Sequence, residues 1–378
     1  MGKTTLFLLT GGSGNSEVEQ AVDGAHRAAA RDLLETLLPI PSIGLAVVAT
    51  DDPSWASTLA DLPVEIDLDP VNDPFHFGRR LAELIERYDA ERVLYTGGGS
   101  APLLKGNEWT RIVDRLGRAK RLVITNNVHS SDWAAFTPSE EACGLIADQV
   151  NDNAIAWALA HEAGFPAEDM KASASSRFDI DTPADLLIAH RHPEIGPHLR
   201  RHLDRLDWRC PQLDGVLSEM GREGGSLIVA GRASSAAWRS LEESTHCWVR
   251  VFAEERGMRA SGRQASGAVR SLLADYLDLV GIEGFFERLG GLANAILLDN
   301  RVILAARNLW PSAIDRFNAD LYRWHDVDDP FLRRLTRAAA DAPVPVVMGG
   351  HSVVAGGLMA LAEARRAVTP APDEGSQQ

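Results

Sequence analysis

The sequence predicts an α/β protein with a doubly wound, mostly parallel sheet in its first half and a second α/β domain after it. Two observations support this prediction. Short apolar runs of strand length alternate with segments of helical periodicity in both halves of the chain, and this alternation is typical of parallel strands joined by helices. Glycine-rich or acidic turns follow several of the runs, as they do at the ligand-binding edge of such sheets.

The first-half strands are predicted from short runs rich in apolar residues, at 6–9, 44–48, 64–66, 92–95, 121–124 and 176–180. Between these runs, apolar residues recur at helical spacing around 28–38, 81–85, 112–116 and 155–163. Because strands and helices alternate, we expect the strands to lie parallel with helices on both faces of the sheet.

The second-half strands are predicted at 226–229, 248–252, 295–298, 302–304 and 344–347. Pro211 follows a charged, His- and Arg-rich stretch and marks a domain boundary. We therefore predict one domain over residues 1–200, a second of unknown role over 211–367, and a disordered, polar tail over 368–378.

The composition limits the classes of function. The chain has 378 residues, enough for two domains, and its 45% hydrophobic and 24% charged residues are typical of a protein that folds in water. A net charge of -15 argues against a nucleic-acid partner, because phosphate backbones are bound through clustered basic residues. No apolar stretch reaches the roughly 20 residues of a membrane span. The three cysteines lack metal or disulfide spacing, which favours a reducing cytoplasm.

The first glycine-rich turn follows the run at 6–9. Gly11, Gly12, Ser13 and Gly14 separate a predicted strand from a predicted helix, and backbone amides at such a turn can approach a phosphate. We predict that these four residues bind a nucleotide. The alternative is a turn whose glycines serve steric needs only.

Two further strand ends are predicted to line the same nucleotide site. Asp51 and Asp52 leave the second strand, and one of them could instead cap the following helix. Gly98, Gly99 and Ser100 follow the fourth strand and expose its carboxyl end. In open parallel sheets, ligands bind at that edge.

Asp179 and Asp181 are the predicted metal ligands. Both lie at the end of the last strand predicted for the first half. Paired carboxylates at a strand end can hold Mg²⁺ against nucleotide phosphates. The alternative is a helix start, since Thr182 is a good N-cap and Asp185 favours the first turn. Capping does not account for Asp179.

Two turns in the second half of the chain could bind a phosphate. Arg232 and Ser234 follow one predicted strand, and Gly350 and His351 follow another. Each turn offers backbone amides with a cation or an imidazole, so we predict a weak anion site from these four residues. The alternative is a pair of ordinary turns with serine caps.

This order of features resembles a family of nucleotidyltransferases with the glycosyltransferase-A-type fold, also called the nucleotide-diphospho-sugar transferase type. The family includes 2-phospholactate guanylyltransferase and molybdenum-cofactor guanylyltransferase. The resemblance covers about the N-terminal half. It rests on the glycine-rich first turn, a helix with arginines at 27 and 31, the Asp51-Asp52-Pro53 turn and the Asp-x-Asp-Thr-Pro-x-Asp-Leu segment at 179–186.

The resemblance implies transfer of a nucleoside monophosphate from a nucleoside triphosphate to a small phosphorylated metabolite, with Mg²⁺ as the cofactor. Such chemistry depends mostly on positioning and electrostatics, so no catalytic residue is assigned. The sequence leaves open whether the protein forms a homo-oligomer. The base of the nucleotide and the acceptor are not specified by the sequence.

The sequence departs from the family pattern at two points. The family has Gly-Asp-x-Pro-Leu-Leu at its central strand, with the aspartate on the metal, whereas this chain has Ser100 in that place. Glu17 stands near the first turn, where the family has a basic residue. Two alternatives therefore stay open: a noncatalytic nucleotide- or metabolite-binding protein of the same fold, and a glycosyltransferase that uses a nucleotide sugar.

Overall fold

The structure, a computed structural model, describes residues 2–12, 14–70 and 74–368. Two separate β-sheets covered by helices confirm the predicted fold class. The strands are β1 (Thr4–Leu9), β2 (Ile43–Thr50), β3 (Glu65–Leu68), β4 (Val93–Gly97), β5 (Leu122–Thr125), β6 (Trp133–Thr137), β7 (Ala167–Asp169), β8 (Ser226–Gly231), β9 (Trp248–Ala253), β10 (Ala295–Asp299) and β11 (Val346–Gly349).

The α-helices surround both sheets, and none of them is long and apolar enough to cross a membrane within the described residues. They are α1 (Glu17–Leu37), α2 (Pro53–Ser57), α3 (Phe77–Arg87), α4 (Gly106–Arg118), α5 (Ser139–Ala147), α6 (Ile155–His161), α7 (Ala174–Arg177), α8 (Pro183–Arg191), α9 (Pro197–Leu206), α10 (Pro211–Met220), α11 (Ser235–Ser244), α12 (Leu272–Val280), α13 (Ile282–Gly290), α14 (Asn300–Ala306), α15 (Ala313–Asp320), α16 (Pro330–Ala340) and α17 (Gly356–Val368).

The first sheet has seven strands in the order β3-β2-β1-β4-β6-β5-β7. β6 runs antiparallel to β4 and β5, and the other neighbouring pairs are parallel. The chain passes from β1 to β2 and β3 on one side and then to β4 on the other, so its winding reverses between β1 and β4. In sheets of this kind the ligand crevice lies at that reversal, outside the carboxyl ends of the strands.

Both faces of the first sheet are buried. Leu6 and Leu8 of β1 belong to one core with Trp109 of α4, while Phe7 belongs to a second core with Leu81 of α3. All five side chains are fully buried. Burial on both faces is the reason that these strands appear in the sequence as continuous apolar runs.

The second sheet has four parallel strands in the order β11-β10-β8-β9. Its chain winds from β8 to β9 on one side and then to β10 and β11 on the other. Phe285 and Phe286 of α13 pack with Leu298 of β10 and Ile303 of α14 in a single large core. This sheet therefore has its own winding reversal, between β8 and β10.

Some expected elements differ from the structure. Residues 176–180, predicted as a strand, contain the end of α7 followed by irregular chain, and 302–304, predicted as a strand, lie inside α14. β6 and β7 were not predicted. The tail predicted as disordered lies outside the described residues, apart from residue 368, which ends α17.

The chain packs as two compact units. Unit 1 contains the residues up to Asp181, Gly196–Asp207 and Gly257–Ala265, and unit 2 contains Thr182–Ile195, Trp208–Arg256 and the residues from Ser266 onward. Helix α8 thus packs within unit 2, and α9 within unit 1. The domain ranges 1–200 and 211–367 stay a prediction.

Candidate functional site

The loops that follow β1 and β4 lie side by side at the reversal of the first sheet. A Cβ atom added to Gly98 would lie 2.6 Å from Oγ1 of Thr10. A side chain at this position would therefore force the two loops apart. The close contact brings both predicted glycine-rich segments to one edge.

His26 of α1 connects the β4 loop to the segment that carries the predicted metal ligands. Its Nε2 lies 2.7 Å from the carbonyl oxygen of Ile180, and the Ile180 amide donates to the carbonyl of Gly99 at 3.1 Å. Because a carbonyl only accepts, Nε2 carries the proton. Asp179 and Asp181 flank Ile180, so this hydrogen-bonded pair holds both aspartates beside the loop.

The first glycine-rich loop closes around acidic side chains of α1. The Gly14 amide donates to Oδ2 of Asp23 at 3.1 Å. A Cβ on Gly12 would lie 2.6 Å from Cγ of Asp23, and one on Gly14 would lie 2.5 Å from Cβ of Glu19. These two glycines allow carboxylate-bearing residues of the chain itself to approach. Ser13, also predicted for this loop, lies outside the described residues.

Asp51 and Asp52 have different roles. Oδ1 of Asp52 accepts two amides of the first turn of α2, at 2.9 and 3.0 Å, and its Oδ2 pairs with Arg27 at 2.9 Å. Asp52 is therefore the cap that the sequence offered as an alternative. Asp51 is exposed, and its Oδ1 would lie 3.3 Å from a Cβ on Gly11, so Asp51 borders the first loop.

Ser100 contacts a residue that brings a carboxylate to the same edge. Its buried Oγ donates to the carbonyl oxygen of Asp132 at 2.9 Å. Asn126 holds Asp132 as well: its amide nitrogen donates to Oδ2 at 2.5 Å, and its Oδ1 accepts the Asp132 amide at 3.0 Å. The Ser100 side chain is thus hydrogen-bonded to the backbone of an aspartate that lies 32 residues later in the chain.

Three carboxylates, those of Asp132, Asp152 and Asp181, are electrostatically coupled at this edge. Burial, followed by the charges of Asp181 and Asp152, raises the pKa of Asp132 to about 7, against the hydrogen bond from Asn126. Burial also raises the pKa of Asp152, while the hydrogen bond that Tyr95 donates to its Oδ2 at 3.0 Å lowers it. The charge of Arg177 also acts on Asp132 and lowers its pKa, but burial and the neighbouring carboxylates outweigh it.

Replacing Asp132 with asparagine is expected to make the free energy of unfolding less dependent on pH. The folded-state pKa is about 7, whereas an aspartate in an unfolded chain has a pKa of about 4. Between these values the folded protein binds more protons, so the wild-type protein loses stability as the pH rises through this window and does not regain it above. The Asp132→Asn variant has no carboxyl group to titrate at this position, so its stability should not fall in this pH window.

Urea unfolding at pH 5 and pH 8 measures the effect. We expect Asp132→Asn to gain on the order of 2 kcal/mol over the wild type across this interval. The control is Asp148→Asn, which removes an exposed carboxylate at the end of α5 and should follow the wild type. Equal pH dependence in Asp132→Asn and the wild type would contradict the assignment.

A second group of potential metal ligands lies away from this edge. Among the residues described, Asp32, Glu35 and His198 form a group whose ligand atoms lie within 4.8 Å of one another. Asp32, however, accepts the amides of His198 and Leu199 at 2.9 and 2.8 Å and so caps α9. Arg201 donates to Nδ1 of His198 at 2.9 Å, so Nε2 carries the proton and donates to Glu35 at 3.0 Å. These contacts identify a link between α1 and α9.

The residues predicted for the second-half anion site lie at the carboxyl edge of the second sheet. Arg232 forms an ion pair with Asp299 at 2.5 Å, and Oγ of Ser234 accepts the Ala237 amide at 3.0 Å as the cap of α11. Gly350 and His351 follow β11, with the Gly350 residue buried and the His351 side chain exposed. The binding of an anion by these four residues stays a prediction.

Sequence reasoning missed several residues of the first-sheet edge. His26 and Tyr95 lie within a helix and a strand, where nothing local marks them as polar partners of distant groups. Asp152 lies in an Asn- and Asp-rich segment whose composition is typical of an ordinary loop. Their contacts join positions 154 and 57 residues apart, and such contacts become visible only in the folded chain.

Comparison with known proteins gives matches among solved structures. No family model and no curated protein matches the chain. A nucleotidyl transferase from Methanothermobacter thermautotrophicus is 12% identical, with 55% of this chain and 100% of that chain covered at a TM-score of 0.40. A cytidylyltransferase from Leptospira borgpetersenii is 14% identical, with 55% and 94% covered at 0.39.

A further match is 4-diphosphocytidyl-2C-methyl-D-erythritol synthase from Anaerococcus prevotii. It is 12% identical, with 54% of this chain and 96% of that chain covered at a TM-score of 0.37. In each comparison, about half of this chain is thus similar to nearly the whole of a nucleotidyltransferase or synthase chain.

Proposed function

We propose that the first-sheet edge between β1 and β4 binds a nucleoside triphosphate with Mg²⁺, and that the protein transfers a nucleoside monophosphate to a small phosphorylated molecule. One observation carries the proposal. Asp132, Asp152 and Asp181 are electrostatically coupled at this edge, and the Ser100 hydroxyl holds the backbone of Asp132.

The carboxylates of this edge are suited to a hard divalent cation. Mg²⁺ prefers oxygen ligands and is commonly held by one or two carboxylates together with waters and substrate phosphates. We assign Asp132 and Asp181 as the principal ligands, with Asp179 beside them, so that Asp132 supplies the charge that Ser100 lacks. When bound, the ion would neutralise charge on the nucleotide phosphates.

The protein groups around the carboxylates would position the substrates. Gly11 and Asp51 border the first loop on its exposed side, and amides of such a loop can hold phosphate oxygens. The contacts of Gly98 and Gly99 with Thr10 and His26 fix the neighbouring loop. Catalysis of this kind depends on fixed geometry and charge and needs no protein nucleophile.

Calorimetric titration of the full chain with ATP, GTP, CTP and UTP, each with and without Mg²⁺, tests the proposal. We expect one nucleotide to bind only with the metal. At pH 7 binding should release a proton, because a metal ligand must be deprotonated, and the heat should therefore depend on the buffer. No nucleotide binding with Mg²⁺, or binding indifferent to the metal, would overturn the enzyme proposal.

A second candidate function, noncatalytic binding of a nucleotide or metabolite, is favoured by the first loop. The Asp23 carboxylate accepts the Gly14 amide that a phosphate would use in an active enzyme. The same titration separates the candidates. Metal-independent binding of a nucleoside without its phosphates would support the noncatalytic function, and strictly Mg²⁺-dependent triphosphate binding would exclude it.

The Ser100→Asp variant is expected to bind Mg²⁺ about 10-fold more tightly than the wild type, since the further carboxylate that joins the group outweighs the loss of the hydrogen bond from Ser100 to the Asp132 carbonyl. Without metal, the same charge should lower the urea midpoint, because like charges at a buried position repel. Calorimetry with MgCl₂ and urea unfolding in EDTA measure the two effects. Unchanged or weaker Mg²⁺ binding would place the metal elsewhere.

A further inference from the structure

We propose that β9, the strand at one edge of the second sheet, pairs antiparallel with β9 of a second copy of this chain. Pairing about a two-fold axis would join two four-stranded sheets into one continuous sheet. The contact surface is the strand itself, Trp248–Ala253. It is separate from the nucleotide site proposed for the first sheet, and the inference does not rest on that function.

Of the sheet edges in the described part of the chain, β9 is the one without protection. Edge strands expose unpaired backbone groups, which proteins usually protect by shortness, charge or burial. β3 has four residues and β7 has three, and acidic side chains make up half or more of each. β11 is buried, and the Tyr322 hydroxyl donates to its Val346 carbonyl and accepts its Met348 amide. β9 has six residues, with Arg250 as its one charged side chain.

The unpaired backbone groups of β9 belong to alternate residues. The Trp248 amide donates to the carbonyl of Gly225, just before β8, at 2.7 Å, so the even-numbered residues of β9 bond to β8. In a parallel ladder the residues between them point away from the neighbouring strand. Val249, Val251 and Ala253 therefore direct their amides and carbonyls outward, where these groups have no hydrogen bond to the described residues.

One face of β9 is exposed although the same face of its neighbour is buried. Phe252 is in register with Ala230 of β8, which is fully buried in the core of the second sheet. Phe252 itself is 38% exposed, and Trp248, two pairs earlier on the same face, is 73% exposed. The helices that cover β8 thus leave β9 open, and its aromatic side chains offer apolar surface to a second copy.

The outward groups of β9 fit a second copy in one register. When Val251 faces Val251 of the second copy, Val249 faces its Ala253, and each such pair can exchange both backbone hydrogen bonds. Arg250 then lies opposite Phe252 of the second copy, where an aromatic ring attracts a guanidinium. The strand is therefore complementary to itself, as an interface about a two-fold axis requires.

The two neighbouring registers are less favourable. A shift in one direction would place Arg250 opposite Arg250 of the second copy, and like charges directly opposite each other destabilise a strand pair. A shift in the other direction would pair Val249 with Glu255. Because Glu255 has a φ of +54°, it does not continue the strand and cannot form this pair.

The size of the contact predicts a reversible dimer. A fully covered Trp or Phe buries about 150–250 Å², so the partly exposed Trp248 and Phe252, together with the backbone edge, would bury on the order of 500 Å² per copy. Stable complexes bury about 800 Å² per partner. We therefore expect the dimer to dissociate on dilution.

Sedimentation equilibrium of the full chain over a range of concentrations tests the proposal, and we expect a monomer–dimer equilibrium. Phe252→Lys places a like charge opposite Arg250 of the second copy and Phe252→Glu an opposite charge, whereas both remove the same ring. The dimer dissociation constant of Phe252→Lys should therefore be about 10-fold larger than that of Phe252→Glu. The control is Ile66→Lys on β3, where Ile66 is 37% exposed, and this variant should dimerise as the wild type does.

Hydrogen exchange of the wild type, followed by mass spectrometry, needs no variant. Peptides that cover β9 should exchange more slowly at concentrations at which the dimer forms, and peptides that cover β3 should be unaffected. Three results would each overturn the proposal: a wild type that stays monomeric at every concentration, equal dissociation constants for the two Phe252 variants, and exchange in β9 that is indifferent to concentration. If circular dichroism shows that either Phe252 variant fails to fold, the exchange measurement decides.

Discussion

Replacing Asp181 with asparagine is expected to lower nucleotide affinity in the presence of Mg²⁺ by about 100-fold and to leave any affinity without Mg²⁺ unchanged. The physical reason is that Asp181 is the member of the acidic group whose charge acts on both Asp132 and Asp152. Its removal takes one formal charge from the cation site and relieves the repulsion that, together with burial, raises the pKa of Asp132.

Calorimetry with the nucleotide that the wild type binds measures this effect, and it has a second readout. Proton release on binding should fall in Asp181→Asn, because Asp132 is then more fully ionised before the metal arrives. Asp148→Asn carries the same change of charge on an exposed position and should behave as the wild type. An equal loss of affinity with and without Mg²⁺ would show that Asp181 acts on the fold and not on a metal.

Replacing Arg301 with methionine is expected to lower the free energy of unfolding by about 3–5 kcal/mol, the largest stability effect among these variants. Arg301 donates to both carboxylate oxygens of Asp320, at 2.8 and 2.7 Å, and both side chains are buried. The variant leaves the buried Asp320 carboxylate without the guanidinium that donates to both of its oxygens, while the charge of Arg316 and the hydrogen bond from Thr182 remain. Urea unfolding at pH 7 measures the loss.

The double variant Arg301→Met with Asp320→Leu separates charge from packing. If the unpaired carboxylate causes the loss, the double variant should recover most of it, since a buried ion pair contributes little net stability compared with apolar residues of similar volume. The exposed pair of Arg334 and Glu283, at 2.7 Å, is the matched control, and Arg334→Met should cost less than about 1 kcal/mol. A double variant as unstable as the single one would assign the loss to packing.

The sequence predicted most of the architecture because the strands are short apolar runs separated by turns. It misassigned 302–304 because α14 begins directly after β10 and is buried throughout its first residues. A fully buried helix and a fully buried strand have the same apolar pattern, and length alone separates them. β6, Trp133–Thr137, follows a polar turn and runs antiparallel, which the simple alternation of strands and helices does not predict.

Part of the candidate site could also be predicted from the sequence, and the reason is physical. The carboxyl ends of parallel strands meet at one edge, so residues such as Gly11, Asp51 and Gly98 could be grouped without coordinates. The coupling of Asp132 to Asp152 and Asp181 could not, because it depends on how an antiparallel strand and a short 3-10 turn, Asp152–Ala154, are placed. Their relative positions are fixed by tertiary packing and leave no periodic signal.

The interleaving of the two units along the chain has a consequence for biosynthesis. Unit 1 includes Gly196–Asp207 and Gly257–Ala265, whereas Thr182–Ile195, which precedes both of these segments, belongs to unit 2. A ribosome that has released only the first 200 residues has therefore not yet supplied all of unit 1, while α8 still lacks its packing partners α15 and α17. Contacts between such distant segments slow folding, and the nascent chain would expose the apolar face of α8 until synthesis is nearly complete.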